Sequence, residues 1–302
     1  MKNELLGTIL AILTAIVSGF SIIANKVFIV DLDPIVFTSI RALFIGIVFF
    51  VISSIECKFE YKKFKKVSWK YLIAIGLIGG AIAFLFFFTG LKLTTGGRAA
   101  FLNKTLPIYA TILAFIFLKE KITKKQVYAL IVMVIGLILI LSSEVNPSMF
   151  WSDPSSGDML VIIATILWSV EYIIAKHAMI KHESNLVVTF ARMFFGAMFL
   201  FAIAILWGKI PLLYYLEPHQ IFSIFLSTIL LSYYVLLWYW SIKFINVSKA
   251  TTILLLAPVV SLVIGIIVWG EPFSYLQILG SILILIGGYF VSKTKSEFLQ
   301  SV

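Results

Sequence analysis

Long runs of apolar residues, uninterrupted by charge, are the feature that most constrains how this chain can fold. Residues 9–23, 127–141 and 254–269 are apolar on every side, unlike a soluble helix with one apolar face or a barrel strand with alternating character. A bilayer core of about 30 Å is crossed by about 20 helical residues, and backbone groups in lipid must be satisfied within the protein. These runs therefore predict an all-α integral membrane protein.

Ten stretches are long and apolar enough to cross the membrane. With ends uncertain by about 2–4 residues, they cover 5–24, 34–55, 71–91, 96–118, 123–143, 158–176, 186–207, 221–242, 249–269 and 274–292. Overall 61% of residues are hydrophobic and 13% are charged, and the connections are mostly too short for a soluble domain. The single cysteine, Cys57, permits no disulfide framework or Cys/His cluster, so the sequence predicts no metal site and no cofactor.

The net charge of +10 is explained by how the basic residues are distributed between the two faces. Of the 24 lysines and arginines, 17 fall on the side that carries both termini, and only four fall on the other side. Cytoplasmic loops retain positive charge, so this asymmetry predicts a multi-pass cell-membrane protein with both termini in the cytoplasm. The basic balance is then a topology signal, and nucleic acid is not an expected partner.

An internal repeat relates the two halves of the chain. An offset of 151 residues aligns them without a gap from about Thr14 to Leu141. The matched pairs include Thr38 with Thr189, Arg41 with Arg192, Pro107 with Pro258, Glu120 with Glu271, and Gly136 with Gly287. The sequence thus predicts five-helix units at 1–146 and 157–297. Because five is odd, the second unit must enter the membrane inverted, which favours a binding site between the halves that opens to each side in turn.

Several of these repeated residues form motifs of a known family. They are Ser18-Gly19 with Lys26, Trp168-Ser169 with Lys176, Thr-x-x-Arg in the second and seventh spans, and a Pro…Glu…Gly series in each half. In these motifs the chain resembles the EamA-type drug/metabolite transporters, although Val17 stands where the second copy has Trp168. The resemblance implies a secondary transporter for amino acids, related metabolites or drug-like molecules, working without ATP. It also implies a cavity lined by spans 3, 4, 6, 8 and 9.

Some repeated residues are expected to shape the fold and its gates. Pro107 and Pro258 should bend spans 4 and 9. Glu120 and Glu271 precede capping boxes and favour a structural role near helix N-termini. Arg41 and Arg192 each follow a threonine by three residues, and we expect them to hold loop ends or gate elements near opposite faces, or to extend toward the interface.

Two charged residues inside spans have no charged counterpart in the other half. Lys104, next to Asn103, corresponds to Leu255, and Glu171 corresponds to Phe20. Because intramembrane charge costs about 2.5–3.5 kcal/mol at the bilayer centre, both residues are functional candidates. Two interpretations remain open. Lys104 and Glu171 form a structural ion pair, or they take part in handling substrate or protons.

Aromatic residues complete the candidate cavity. Trp168 precedes Glu171 by one helical turn, and Phe88, with Phe87, aligns with Trp238 and Tyr239 in aromatic runs of spans 3 and 8. An aromatic cage beside one cation and one anion suits a zwitterion, although core packing is the ordinary role of such rings. The expectation is a secondary active carrier for amino acids or related zwitterions, with export favoured and protons as a candidate co-substrate. The substrate identity and the oligomeric state stay open.

Two other classes compete with a carrier. A membrane enzyme lacks support because the three histidines fall in loops or at span ends and no H-E-x-x-H motif is present. A channel can have a polar or hydrophobic pore, but asymmetric buried charge in an inverted repeat favours alternating access.

Overall fold

The computed structural model describes residues 2–29, 31–56, 68–143, 155–181, 183–270 and 272–297, and is helical almost throughout. It contains ten helical stretches long and apolar enough to cross a membrane, which confirms the predicted fold class. We number these spans 1–10 in chain order. Cys57 and Glu271 lie outside the described residues.

Seven of the spans are single helices. These are Lys2–Phe28 (span 1), Pro34–Glu56 (span 2), Lys124–Ser142 (span 5), Ser156–Ile180 (span 6), Asn185–Leu206 (span 7), Pro218–Phe244 (span 8) and Tyr275–Ser292 (span 10). A short 3₁₀ helix, Ile210–Tyr215, connects spans 7 and 8.

Spans 3, 4 and 9 change helix geometry partway across. Span 4 consists of Gly96–Lys104 and Leu106–Phe117, and span 9 of Val247–Ile253, a 3₁₀ turn at Leu254–Leu256, and Ala257–Trp269. In each, the second segment begins with the predicted proline in its first turn, because proline has no backbone N–H to donate to the preceding turn. Span 3 passes from Trp69–Ile75 through a π-helix, Gly76–Ile82, to Ala83–Leu93.

Packing between the spans is nearly unchanged when the two halves are exchanged. Span 1 packs on spans 8 and 9 as span 6 packs on spans 3 and 4, and the equivalent pairs 2 with 7 and 5 with 10 pack on each other. In spans 2 and 7, Gly46 meets Phe194 while the tilted rings of Phe50 and Phe190 pack 5.4 Å apart, so these helices run antiparallel. Antiparallel packing of equivalent helices is the arrangement that an inverted repeat requires.

Small residues allow the closest of these approaches. Gly80 of span 3 and Gly196 of span 7 meet backbone to backbone, and Gly136 and Gly280 do the same between spans 5 and 10. A methyl group at any of the four would overlap neighbouring backbone atoms. This packing through small residues is typical of membrane helices, and it brings spans 3, 6, 7 and 8 together around a polar centre.

Candidate functional site

A buried ion pair lies where spans 6, 7 and 8 meet. Glu171 Oε2 is 3.1 Å from Arg192 Nη1, and the two side chains are 0% and 3% exposed. Tyr239 bridges them, because its hydroxyl donates to Glu171 Oε1 at 2.5 Å and accepts from Arg192 Nη1 at 3.1 Å. Within the described residues, Arg192 Nε has no hydrogen-bond partner, so part of this guanidinium's donor capacity is unused.

The π-helix of span 3 forms the wall against this pair. Gly79 packs directly on the Glu171 side chain, and a Cβ at Gly79 would lie 2.3 Å from Glu171 Cγ. Gly80 approaches the backbone carbonyl of Arg192 in the same way. The widened turn also leaves the Gly79 carbonyl to accept a hydrogen bond from Trp168 Nε1 at 3.1 Å. Single π-helical turns occur often at functional sites, and this one fits span 3 around a charged pair.

Aromatic rings surround the charged pair. Arg192 lies within 6 Å of three ring centroids, those of Phe84, Tyr172 and Tyr239. Trp168 packs edge-on against Phe84, with centroids 5.3 Å apart, and Tyr172 packs on Trp238 at 4.5 Å. The rings favour the cation through their π faces and keep water from the pair.

A cavity of about 160 Å³ extends from the face opposite the termini toward these rings. Asp33 and Lys209 form an ion pair of 2.9 Å at its mouth, and Phe84 and Phe88 lie at its inner end. Thr38 also lines the cavity, and its hydroxyl has no hydrogen-bond partner among the described residues. Partial burial opposes ionisation of Asp33, but hydrogen bonds from Lys209 and two backbone amides lower the pKa of its carboxyl. The mouth therefore stays charged, while the inner end is aromatic.

Lys104 does not pair with Glu171, so the structural pair considered from the sequence is wrong. Glu171 pairs with Arg192 instead, and within the described residues Lys104 forms no ion pair or hydrogen bond. Lys104 and Asn103, both half-buried, end the first segment of span 4 just before the Pro107 break. Which cation meets Glu171 depends on how the spans pack, which the sequence alone does not specify.

The two repeated arginines have different surroundings. Arg41 donates to Ser227 at 2.6 Å, Ser227 donates to Asn25 at 2.6 Å, and the Arg41 guanidinium lies 3.9 Å from the Phe37 ring centroid. Arg41 thus ties span 2 to spans 8 and 1 through neutral groups. Arg192 contacts Glu171 and Tyr239 inside the protein, so the expectation that it holds a loop end is wrong, while the gate role expected of both arginines stays a prediction.

Glu120 has a structural contact that crosses between the halves. Its carboxylate accepts hydrogen bonds from the Val247 and Ser248 amides and the Ser248 hydroxyl, at 2.6–3.0 Å. It therefore caps the first helix of span 9, where negative charge is favourable. Burial raises the pKa of this carboxyl, and the hydrogen bonds oppose that shift.

Two ion pairs at opposite ends of the protein also correspond by the repeat. Arg98, at the start of span 4, pairs with Asp158 in the first turn of span 6. Its counterpart Lys249, at the start of span 9, pairs with Glu4 in the first turn of span 1 at 3.2 Å. Neither pair was predicted from the sequence, nor were Gly79, Gly80 and the Asp33–Lys209 pair. Arg98 and Lys249 are 151 residues apart, and this repeat offset was the sequence signal for the Arg98–Asp158 and Lys249–Glu4 pairs.

Ten membrane-length helices enclose a polar centre, with a cavity leading toward it and proline-broken spans beside it, and they define a polytopic membrane protein with an internal polar site. The described residues include no group of His, Cys, Asp and Glu suited to a metal ion. The chain belongs to the EamA-like transporter family, whose model matches it twice, over residues 5–142 and 155–293. It is therefore a transporter of small molecules rather than an enzyme.

Relatives match this chain in sequence over nearly their whole length. An uncharacterized transporter of Archaeoglobus fulgidus is 27% identical over 94% of this chain and 97% of its own. The uncharacterized transporter YoaV of Bacillus subtilis is 28% identical over 92% and 94%. A crystal structure with 16% identity superposes with a TM-score of 0.75 over 94% of this chain and 96% of that one, which establishes the likeness of fold.

Proposed function

We propose that this protein is a secondary active transporter that exports amino acids or related zwitterions by alternating access. The observation that carries the proposal is the buried Glu171–Arg192 pair, enclosed by aromatic rings of which one, Phe84, also lines the cavity. In this proposal it resides in the cell membrane with both termini in the cytoplasm, as the distribution of lysine and arginine favours.

The charged pair has the chemistry to exchange its internal partner for a zwitterion. A substrate carboxylate accepts from Arg192, whose guanidinium suits planar, bidentate recognition, while the substrate ammonium pairs with Glu171. Rings of Trp168, Tyr172 and Phe84 then contact the substrate's organic portion. Such an exchange keeps both charges compensated in a low-dielectric site, whereas a solute with one charge leaves a residue unpaired.

Lys104 and Asn103 remain proposed cavity residues at the break in span 4. Lys104 has no ion-pair partner among the described residues, and the other half has Leu255 at this position. We expect Lys104→Leu to keep the fold, since no pair is lost, and to weaken transport if the ammonium contacts the substrate carboxylate. Normal transport kinetics in that variant would remove Lys104 from the site.

Alternating access in this proposal uses the two repeat-related ion pairs. Arg98–Asp158 closes spans 4 and 6 at one face, and Lys249–Glu4 closes spans 9 and 1 at the other. Spans 4 and 9 are the proline-broken helices, so each pair secures a segment able to move about its break. Protons are a candidate co-substrate, because a proton on Glu171 would neutralise this buried carboxylate in a state where neither Arg192 nor a substrate ammonium pairs with it.

The test is flux into proteoliposomes of defined internal composition. Purified protein is assayed with radiolabelled amino acids, with and without a pH gradient or unlabelled amino acid on the opposite side. Saturable, counterflow-stimulated flux supports the carrier, and its dependence on a zwitterion supports the substrate class. Non-saturating ion current would indicate a channel, and saturable flux only of anions or cations would reject the zwitterion assignment.

A further inference from the structure

A second cavity, apart from the transport site, lies on the outer surface of the helix bundle. It measures about 300 Å³ and is bounded by spans 3, 4 and 6 near the face that carries the termini. Its lining is apolar apart from Tyr71 and His177, and includes Leu113, Phe117, Leu118 and Ile174. Phe117 is 66% exposed, so this groove faces the surrounding lipid.

Basic residues mark one end of this groove. Lys181 Nζ lies 3.4 Å from the Tyr71 hydroxyl, and Lys70 Nζ lies 5.1 Å from the centroid of the same ring. The His177 ring packs edge-on against Tyr71 at 5.3 Å. Both lysines are exposed, and Lys119 follows the groove residue Leu118 directly. The groove thus joins an apolar trough to a cationic rim.

Acidic groups do not neutralise this rim within the described residues. The acidic residues nearest to its lysines along the chain are Glu120 and Glu183, and both are buried and accept hydrogen bonds from backbone amides. Among the described residues, no acidic side chain lines the groove itself. The rim is therefore complementary to a phosphate group.

The internal repeat provides a comparison for this groove. Its counterpart positions keep the apolar character, with Phe222 for Tyr71 and Ile264 for Leu113. Ile221, Gly270 and Val30 occupy the positions of Lys70, Lys119 and Lys181, and one basic residue, Lys26, corresponds to His177. The apolar character of the trough is therefore repeated in the other half, whereas the three lysines are not.

We propose that this groove is a binding site for an anionic phospholipid of the leaflet on the side of the termini. One acyl chain lies in the trough of spans 3, 4 and 6, and the lipid phosphate contacts Lys70, Lys181 and the Tyr71 hydroxyl. Basic pockets between membrane helices on the cytoplasmic side bind anionic headgroups because phosphate and acyl chain are recognised together. The site is distinct from the Glu171–Arg192 centre and does not depend on which solute is transported.

The experiment compares lipids of identical acyl chains added to the delipidated full-length protein in detergent. Bound lipid is counted by native mass spectrometry, and the thermal unfolding midpoint is followed in parallel. Phosphatidylglycerol is expected to bind about tenfold or more tightly than phosphatidylcholine and to raise the midpoint further. Equal binding of the two lipids would overturn the proposal.

Two variants and one probe locate the binding. The double variant Lys70→Gln/Lys181→Gln should lose the preference for phosphatidylglycerol, while Lys124→Gln/Lys125→Gln, equally exposed on the same face, should keep it. Ile174→Trp should reduce binding of both lipids by filling the trough. Equal loss in the two lysine double variants would instead show a diffuse surface charge. A midpoint shift from inorganic phosphate alone, as large as that from the lipid, would show a simple anion site and also reject the proposal.

Discussion

Glu171 and Arg192 lie 3.1 Å apart inside the helix bundle, at positions whose repeat counterparts are Phe20 and Arg41. Only one half of the repeat therefore contains the acidic partner, and the Arg41 side chain is held by Ser227 instead. The architecture tolerates an arginine without a carboxylate at this position. The buried carboxylate is thus present only in the second half. A single substrate site between two repeated halves requires an asymmetry of this kind.

The first prediction concerns this pair. Glu171→Gln and Arg192→Met should each destabilise the protein by about 3–5 kcal/mol, because each leaves the other charge buried without its partner. The double variant should recover much of that loss, since no uncompensated charge remains. Thermal unfolding in detergent measures stability, and amino-acid flux in proteoliposomes measures function.

The combination of the two readouts separates a structural pair from a binding pair. If the pair binds substrate, the folded double variant stays inactive. Recovery of both stability and flux in the double variant would show that the pair only supports the fold. Lys121→Met, which breaks the exposed Lys121–Glu297 pair, is the control and should change neither readout appreciably.

A second prediction tests whether the π-helix must contain glycine beside the acid. Gly79→Ala places a methyl group 2.3 Å from Glu171 Cγ, and Tyr239 and Arg192 hold that side chain in place. Overpacking of this kind should cost about 1–3 kcal/mol. In a Glu171→Ala background the cost should fall, because Cγ is gone. Additive losses in unfolding midpoint across the four proteins of this cycle would reject the contact.

The sequence predicted much of the scaffold but only part of the site. Apolar runs and the 151-residue offset identified the ten spans, and Pro107 and Pro258 marked two of the helix breaks. These features depend on local composition and backbone chemistry, which can be predicted from the sequence alone. Glu171 was identified for the same reason, since charge in an apolar run is conspicuous.

The partner of Glu171 was not predictable from those local signals. Depth along a helix made Lys104 a reasonable partner, but pairing depends on which helices approach closely and how each is rotated. That is set by the contact of Gly80 with Gly196, which brings spans 3 and 7 together beside span 6. Glu120 illustrates the same limit, because the helix that it caps begins 127 residues later in sequence.

The third prediction concerns that cap. Glu120→Gln should cost about 1–3 kcal/mol of stability, because the amide has one acceptor oxygen for three donors and brings an N–H₂ group toward backbone N–H groups. Glu297→Gln makes the same chemical change at an exposed side chain and should have little effect. Equal unfolding midpoints for the two variants would show that the Glu120 cap contributes no more to stability than the exposed Glu297 side chain does.

The last prediction concerns the Asp33–Lys209 pair at the mouth of the cavity. The pKa of Asp33 is lower in the folded protein than its ordinary value of about 3.9, so the ionised carboxylate stabilises the fold. That contribution is fully present above the ordinary value and is lost as pH falls through the lowered one. Because Lys209 is partly exposed, the pair is worth only about 0.2–1 kcal/mol.

Asp33→Asn should therefore lower the unfolding midpoint slightly, by the same amount at every pH from 6 to 8. The difference from wild type should shrink below about pH 4, where the wild-type carboxylate also becomes protonated. Lys209→Met should match Asp33→Asn at neutral pH, because either change breaks the same ion pair. A difference that grew as pH fell, or that appeared only between pH 6 and 8, would show that another group controls the stability of the cavity mouth.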